Sequence, residues 1–389
     1  MIAWTNLLTG QIKEGDSLRY SKTDICVPKI LVWNLTSHCN LKCQHCYFDA
    51  KTSPDSGELN LAQAKSFIDD LSYLKLPVLL FSGGEPLLRQ GLFELGEYAI
   101  SKGIRSVLST NGTLITKKIA KRIKKVGFSY AGISIDGLEE TNDLFRKKKG
   151  AFKEAIAGVR NCHEFGIKVG LRFTLTRYNH KDLPQIFDLL EKESIKRICI
   201  YHLVYSGRGD DPDSQDLSVS ERLKAMNLIW DKTFQYQEQN KGIEILTVDN
   251  HADGVWLYLR LRNKDPQRAE KVFRLLKRQG GNSSGMRIGS VDNFGNVYPD
   301  QFWRSHCLGN VLKEKFSQIW SNKNNKFLND LRNRKLLLKG KCQKCAFKDI
   351  CNGSFRARAE AVSGDPWTED PACYLSEEEI LDKQPSFIN

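Results

Sequence analysis

Between residues 29 and 203 the chain alternates short apolar runs with longer amphipathic stretches. KILVWNL, PVLLFS, SVLST, YAGISI, KVGLRFTL and RICIYHL read as buried strands. Between them, LAQAKSFIDDLSYL carries Ala64, Phe67, Ile68 and Leu71 at helical spacing, and helices follow over 92–102, 116–125, 151–165 and 183–192. Strands alternating with helices of this length predict parallel pairing through right-handed crossovers, here as six β/α units. The expected class is α/β, a partial (β/α)6 barrel of the TIM-like kind.

After residue 207 the alternation fades. SVSERLKAMNLIWDKTFQYQEQ reads as one long helix, DPQRAEKVFRLLKR as another, and MRIGSVDNFGNVYPDQFW as a hairpin turning at Asn293, Phe294 and Gly295. The expected organisation is an N-terminal segment (1–28), a core (29–240), a linking region (241–284) and a cysteine-rich C-terminal unit (285–389). In parallel barrels chemistry sits where strands end. Those ends carry a cysteine loop, SGGEP, STNGT, SIDG, Arg172 with Thr174, and YHLVYSGRGD.

The formal net charge of +13 changes the picture of possible partners. Part of it is a solvated helix face, since ITKKIAKRIKKVGF places Ile115, Ile119, Ile123 and Val126 on one side and its lysines on the other. No helix-turn-helix or RNA-binding signature accompanies the charge, so no nucleic-acid partner is expected. A positive field also concentrates ligands that bear several carboxylates. The start of the chain shows no signal peptide and no apolar run is long enough for a bilayer, so a cytoplasmic protein without a membrane partner is expected.

Eleven cysteines, an odd number, argue against a disulfide framework in such a protein. Cys39, Cys43 and Cys46 crowd one loop, CNLKCQHCY. Three thiols at C-x3-C-x2-C are one short of a closed site. They make either half of a zinc site, completed by His38 or His45, or the ligands of three irons of a cube whose fourth iron stays open to a small molecule.

With Tyr47 beside the last cysteine, and SGGEP ending the second strand, the chain resembles the radical S-adenosylmethionine (SAM) superfamily. The resemblance implies a four-iron, four-sulfur cluster held by Cys39, Cys43 and Cys46, with SAM on the open iron. It implies that Gly83, Gly84 and Glu85 orient the methionine amino group, and that Tyr47 lies by the adenine. It further implies that Ser109, Asn111, Ser134 and Asp136 meet the ribose and methionine carboxylate, and that Arg172 meets a carboxylate. The plainer readings are turn caps for the polar residues, core packing for Tyr47 and a surface ion pair for Arg172. The implied chemistry is reductive cleavage of SAM, followed by hydrogen abstraction from an unactivated carbon, fed by an external flavodoxin- or ferredoxin-like electron donor.

Cys342, Cys345, Cys351 and Cys373 supply four further thiols at C-x2-C-x5-C with a distant fourth. Zinc or a second four-iron cluster would satisfy them. Beside such a core they resemble the SPASM class of C-terminal extensions, which implies a cluster. The fuller pattern of that class holds two auxiliary clusters. Here only Cys307 is spare, so one is expected, and Cys26, Cys162 and Cys199 read as small core residues.

FSGGEPLLR, VLSTNGTLI, FSYAGISIDGLEE, LTVDNHADGV, GGNSSG, PDQFWR and DPACYL resemble the radical enzymes of tetrapyrrole side-chain processing. The branch indicated is that of the didecarboxysiroheme deacetylases in siroheme-dependent heme biosynthesis. It implies a tetrapyrrole substrate and loss of two acetate side chains from 12,18-didecarboxysiroheme to give iron-coproporphyrin III. The alternatives are the sister branch, which removes propionates on the way to heme d1, and a peptide-modifying SPASM enzyme. His202, Tyr205, Arg208, His251, Asp253, Trp303, Arg304 and His306 are candidates to line the substrate pocket, with a histidine available to a substrate iron.

Overall fold

A computed structural model describes residues 1–10, 17–20, 27–211 and 215–382. Cys26 lies outside the described residues. One eleven-stranded sheet organises them. In chain order its strands are β1 (Ile2–Ala3), β2 (Ile30–Asn34), β3 (Val78–Ser82), β4 (Arg105–Thr110), β5 (Ala131–Ser134), β6 (Val169–Leu175), β7 (Arg197–His202), β8 (Glu244–Val248), β9 (Ile288–Val291), β10 (Asn296–Tyr298) and β11 (Gly309–Asn310). The order across the sheet is β1-β8-β7-β6-β5-β4-β3-β2-β9-β10-β11.

The six strands read from the sequence are present and pair in parallel, β2 through β7. The parallel run is longer than the expected six. β8 joins β7 and β9 joins β2, both parallel. β8 falls in the stretch expected to be a linker, and β9 in the C-terminal unit. The hydrogen-bonded order is linear, so hydrogen bonds do not close the sheet into a barrel. Sequence neighbours pair with a crossover between them, and the helices cover apolar strands such as ILVWN. Trp33 of β2 packs edge-on to Phe67 of the helix Leu61–Tyr73 and tilted against Phe81 of β3.

The helices begin where short polar side chains can satisfy free backbone N–H groups. Asn60 with Gln63, and Ser218 with Glu221, form capping boxes; Thr116 caps the lysine-rich helix Lys117–Val126. Among the helices that escape the periodicity reading is Glu139–Arg146. It spans two turns and is mostly polar, which leaves too few apolar positions to reveal a period. The hairpin appears where expected, with β9 and β10 antiparallel around Asn293–Gly295. Among the described residues no helix is long and apolar enough to cross a membrane.

Buried polar contacts fasten residues 354–372 to the sheet's strand ends. Arg358, wholly buried, donates to the carbonyls of Leu203, just past β7, and Asp249, just past β8, at 2.6 and 2.8 Å. Asn250 donates to the Ala372 carbonyl at 2.9 Å, and the His251 N–H to Ser354 Oγ at 3.0 Å.

Candidate active site

Because the strands from β2 to β8 run parallel, their C-terminal ends share one rim. The cysteine loop leaves β2 and is held from four directions. From β3, the Gly84 and Glu85 N–H groups donate to the carbonyls of Thr36 and His38, each at 2.7 Å. A Cβ on Gly84 would sit 2.3 Å from the His38 oxygen, so only glycine lets these backbones meet. The helix Glu139–Arg146 accepts the Gln44 N–H at the Phe145 carbonyl, 3.0 Å, while His45 stacks on the Phe145 ring at 4.6 Å. After β7, the Arg208 side chain donates to the Cys43 carbonyl at 2.9 Å. Gly207 there has φ +59°, and a Cβ would lie 2.4 Å from the Cys46 oxygen. Below, Tyr47 donates its hydroxyl to Asn34 at 3.0 Å and sets its ring edge-on to Phe302 of the C-terminal unit.

Cys39 and Cys43 are buried, Cys46 is half-buried, and the three pack in one small cluster with Leu41 and Ala50. N–H groups already aim at two of the sulfurs. Cys39 Sγ accepts from the Leu41 N–H at 3.4 Å and Asn111 Nδ2 at 3.9 Å, and Cys43 Sγ from Arg146 Nη1 at 3.7 Å. Burial pushes the Cys39 thiol up to about 12, with the Glu85 carboxylate adding to it. A thiolate there needs a cation at the sulfur. Among the described residues no three His, Cys, Asp or Glu side chains close on a point that one metal ion would occupy. A cube makes a different demand, one separate iron for each thiolate.

The other rim residues fall around this loop in defined roles. Glu85 is fully buried; its oxygens accept from Thr110 Oγ1 at 2.7 Å, the Asn111 N–H at 2.8 Å and the Leu87 N–H at 3.2 Å. Its carboxylate therefore ties the end of β3 to the end of β4, and desolvation raises its pKa to about 7. Asn111 also donates to Asn40 at 2.9 Å. Asp136 accepts from Arg146 and from the Thr174 N–H at 2.9 Å. Arg172 donates to Ser109 Oγ at 2.5 Å, while its buried Nε has no partner among the described residues. Ser134 is half-buried in register with Arg172. Arg146 was not anticipated from the sequence. Its one signal was an arginine between apolar and lysine-rich stretches, with nothing to mark it as buried.

Of the candidates for the substrate pocket, several are already engaged. His202 is held at both ring nitrogens, by Arg222 at Nδ1 and Asp253 at Nε2, each 2.8 Å away. Arginine only donates, so Nδ1 accepts and the Nε2–H goes to Asp253; neither nitrogen is open to a metal. Tyr205 donates to Asp216 at 2.6 Å, Tyr374 to the second oxygen of Asp253 at 2.9 Å, and Trp303 and His306 both meet Glu360 at 2.6 Å. Arg208 is spent on the cysteine loop. Arg304 lies over the Phe48 ring, 4.7 Å from its centre, with a further bond to the Phe48 carbonyl at 3.2 Å. His251 keeps a buried Nδ1 without a partner among the described residues.

Cys342 lies in the short helix Gly340–Lys344, Cys345 caps it, Cys351 ends the helix Lys348–Cys351, and Cys373 follows in a loop. All four are partly exposed. The Cys351 thiol is pushed well up, first by burial and then by Cys342, Cys373 and Cys345. Cys345 Sγ accepts from the Phe347 N–H at 3.4 Å. Cys307 stands apart and exposed, and Cys162 and Cys199 are buried as expected.

Residues 33–190 match the family described as the Radical SAM superfamily, and residues 285–346 match SPASM, an iron-sulfur cluster-binding domain. Fe-coproporphyrin III synthase of Methanosarcina barkeri is 49% identical over 98% of this chain and 99% of its own length. This chain belongs to the radical SAM superfamily. Pre-heme d1 synthase of Dinoroseobacter shibae is 41% identical over 89% of this chain and 86% of its own. The fold is shared with Streptococcus suis SuiB bound to SAM, at TM-score 0.70 and 15% identity over 93% of this chain and 80% of that one. As a radical SAM enzyme it uses a 4Fe–4S cluster with SAM, and it carries a second cluster in its SPASM region. The SPASM match ends at residue 346, so it covers Cys342 and Cys345 but not Cys351 or Cys373.

Proposed function

We propose that this enzyme removes two acetate side chains from 12,18-didecarboxysiroheme, giving iron-coproporphyrin III in heme biosynthesis. The observation that carries this is the 49% identity, end to end, with Fe-coproporphyrin III synthase. Cys39, Cys43 and Cys46 hold the first cluster, and Cys342, Cys345, Cys351 and Cys373, within the unit 285–389, hold the second. Bound there, the reduced first cluster and SAM supply a carbon radical able to take hydrogen from an unactivated carbon. The chain's own part is to fix the loop, through Gly84, Phe145 and Arg208, and to keep water from the rim with aromatics such as Tyr47 and Phe302. The net positive charge favours a substrate with several carboxylates. The electron donor is an external flavodoxin- or ferredoxin-like protein, and the setting is the cytoplasm.

Anaerobic incubation with SAM, a reductant and didecarboxysiroheme, followed by mass spectrometry, tests the reading. Two acetates released per iron-coproporphyrin III are expected. Loss of propionates instead would place the chain with pre-heme d1 synthase.

A further inference from the structure

Arg146 is bound to the cysteine loop twice. Its carbonyl accepts the Lys42 N–H at 3.3 Å, and its Nη1 lies 3.7 Å from Cys43 Sγ. The other arm of the guanidinium pairs with Asp136. Arg146 is 6% exposed and Asp136 1%, so neither charge is screened by water. Asp136 is fixed in turn. Its N–H donates to Asn142 at 3.0 Å, its carbonyl accepts from Asn179 at 3.1 Å, and its second oxygen accepts from the Thr174 N–H at 2.9 Å. His45 Nε2 stands 3.5 Å from the oxygen that Arg146 uses. Arg208, a second cation at this loop, spends its Nε on the Cys43 carbonyl rather than its sulfur.

We propose that Arg146, aimed by Asp136, is a positioning residue that sets the reduction potential of the first cluster through the sulfur of Cys43. The potential of such a cluster depends on hydrogen bonds to its sulfurs and on nearby charge. Reduction adds one negative charge. A buried guanidinium that donates to a ligand sulfur stabilises the reduced form and makes the potential less negative. The Asp136 carboxylate, held on the far side of that guanidinium, opposes it. The two residues therefore act with opposite sign, although they form one ion pair.

The test is a redox titration of the anaerobically reconstituted full-length protein, without SAM, followed by electron paramagnetic resonance. The first cluster's signal is the one whose g-values move when SAM is later added. R146Q is expected to shift its midpoint to more negative potential, and D136N to less negative potential. R146K keeps the charge but loses the forked geometry, and should fall between wild type and R146Q. Unchanged midpoints, or shifts of the same sign in R146Q and D136N, would overturn the proposal. Should R146Q fail to fold, R146K and D136N still carry opposite expectations. The inference rests on Cys43 as a cluster ligand, which C43A checks separately: a SAM-responsive signal that survives C43A would remove that assignment. No tetrapyrrole enters the measurement, so the outcome is independent of the proposed substrate.

Discussion

Arg358 grips Asp370 with both arms of its fork, Nε to Oδ1 at 2.8 Å and Nη2 to Oδ2 at 2.9 Å, and neither side chain is exposed. Asp370 also accepts the N–H groups of Phe355 and Ala372. With Leu203 and Asp249 on the arginine's remaining capacity, the pair joins the second cysteine group to the ends of β7 and β8. Removing one member strands the other's charge, so R358M should cost about 3–5 kcal/mol in denaturant unfolding of the loaded protein. Burial opposes ionisation of Asp370, but Arg358 overcomes it and holds the carboxyl well below its usual range. A depressed acid stabilises the fold above its unfolded value of about 4 and loses that contribution as pH falls toward the folded value. The wild type should lose stability in acid more steeply than R358M, as an acid titration would show.

Glu85 has the opposite sign. Its folded pKa of about 7 exceeds the unfolded value of about 4.3. The native state therefore holds a proton that the unfolded chain has released, and stability attributable to this group falls as pH rises between those values. E85Q should remove that slope. It should also cost about 1–3 kcal/mol, because its amide NH2 must face an N–H that Glu85 now accepts. Unfolding curves from pH 4 to 8 for the two proteins provide the check.

Iron counting addresses the two cysteine groups. Anaerobic reconstitution should give about eight irons per chain, four in each cluster. Alanine at Cys39, Cys43 and Cys46 should remove about half of it and all SAM cleavage. Alanine at the C-terminal four should remove the other half. One equivalent of zinc in place of the second set would refute that assignment.

His202 gives a spectroscopic expectation. Held by Arg222 and Asp253, it has no nitrogen to offer a substrate iron. H202Q should leave the absorption spectrum of bound iron tetrapyrrole unchanged while lowering stability by about 1–3 kcal/mol. A shifted Soret band in H202Q would contradict this.

The six central strands were legible because each is an apolar run of strand length bounded by turn residues. The cysteine loop was legible because its ligand spacing is local. β8 was harder to see. Ile245, Leu246 and Val248 form a run of strand length, but it follows a twenty-residue helix, Val219–Glu238, with no alternation to announce it. Its place beside β7 is a tertiary fact. Arg146 and Arg358 were illegible for the same reason. Cys43 and Leu203 lie more than a hundred residues from their arginines, and although Asp136 and Asp370 stand only ten and twelve residues away, burial of the charge is invisible until all of them converge. Gly84 and Gly207 were visible as glycines, but not the reason for them: each clears room for the backbone of the cysteine loop.

The pairing of β9 with β2 has a consequence for synthesis. Ile30–Asn34, the strand that launches the cysteine loop, gains its second neighbour only when residues 288–291 have been made. Until then a nascent chain exposes one edge of ILVWN, with its backbone groups unpaired and its side chains apolar, which is the kind of edge that recruits other strands. A chain cut at residue 284 would keep all three N-terminal cysteines and still present that open edge. Its expected fate is aggregation during expression, and the strand edge is covered only once the last quarter of the protein is being made.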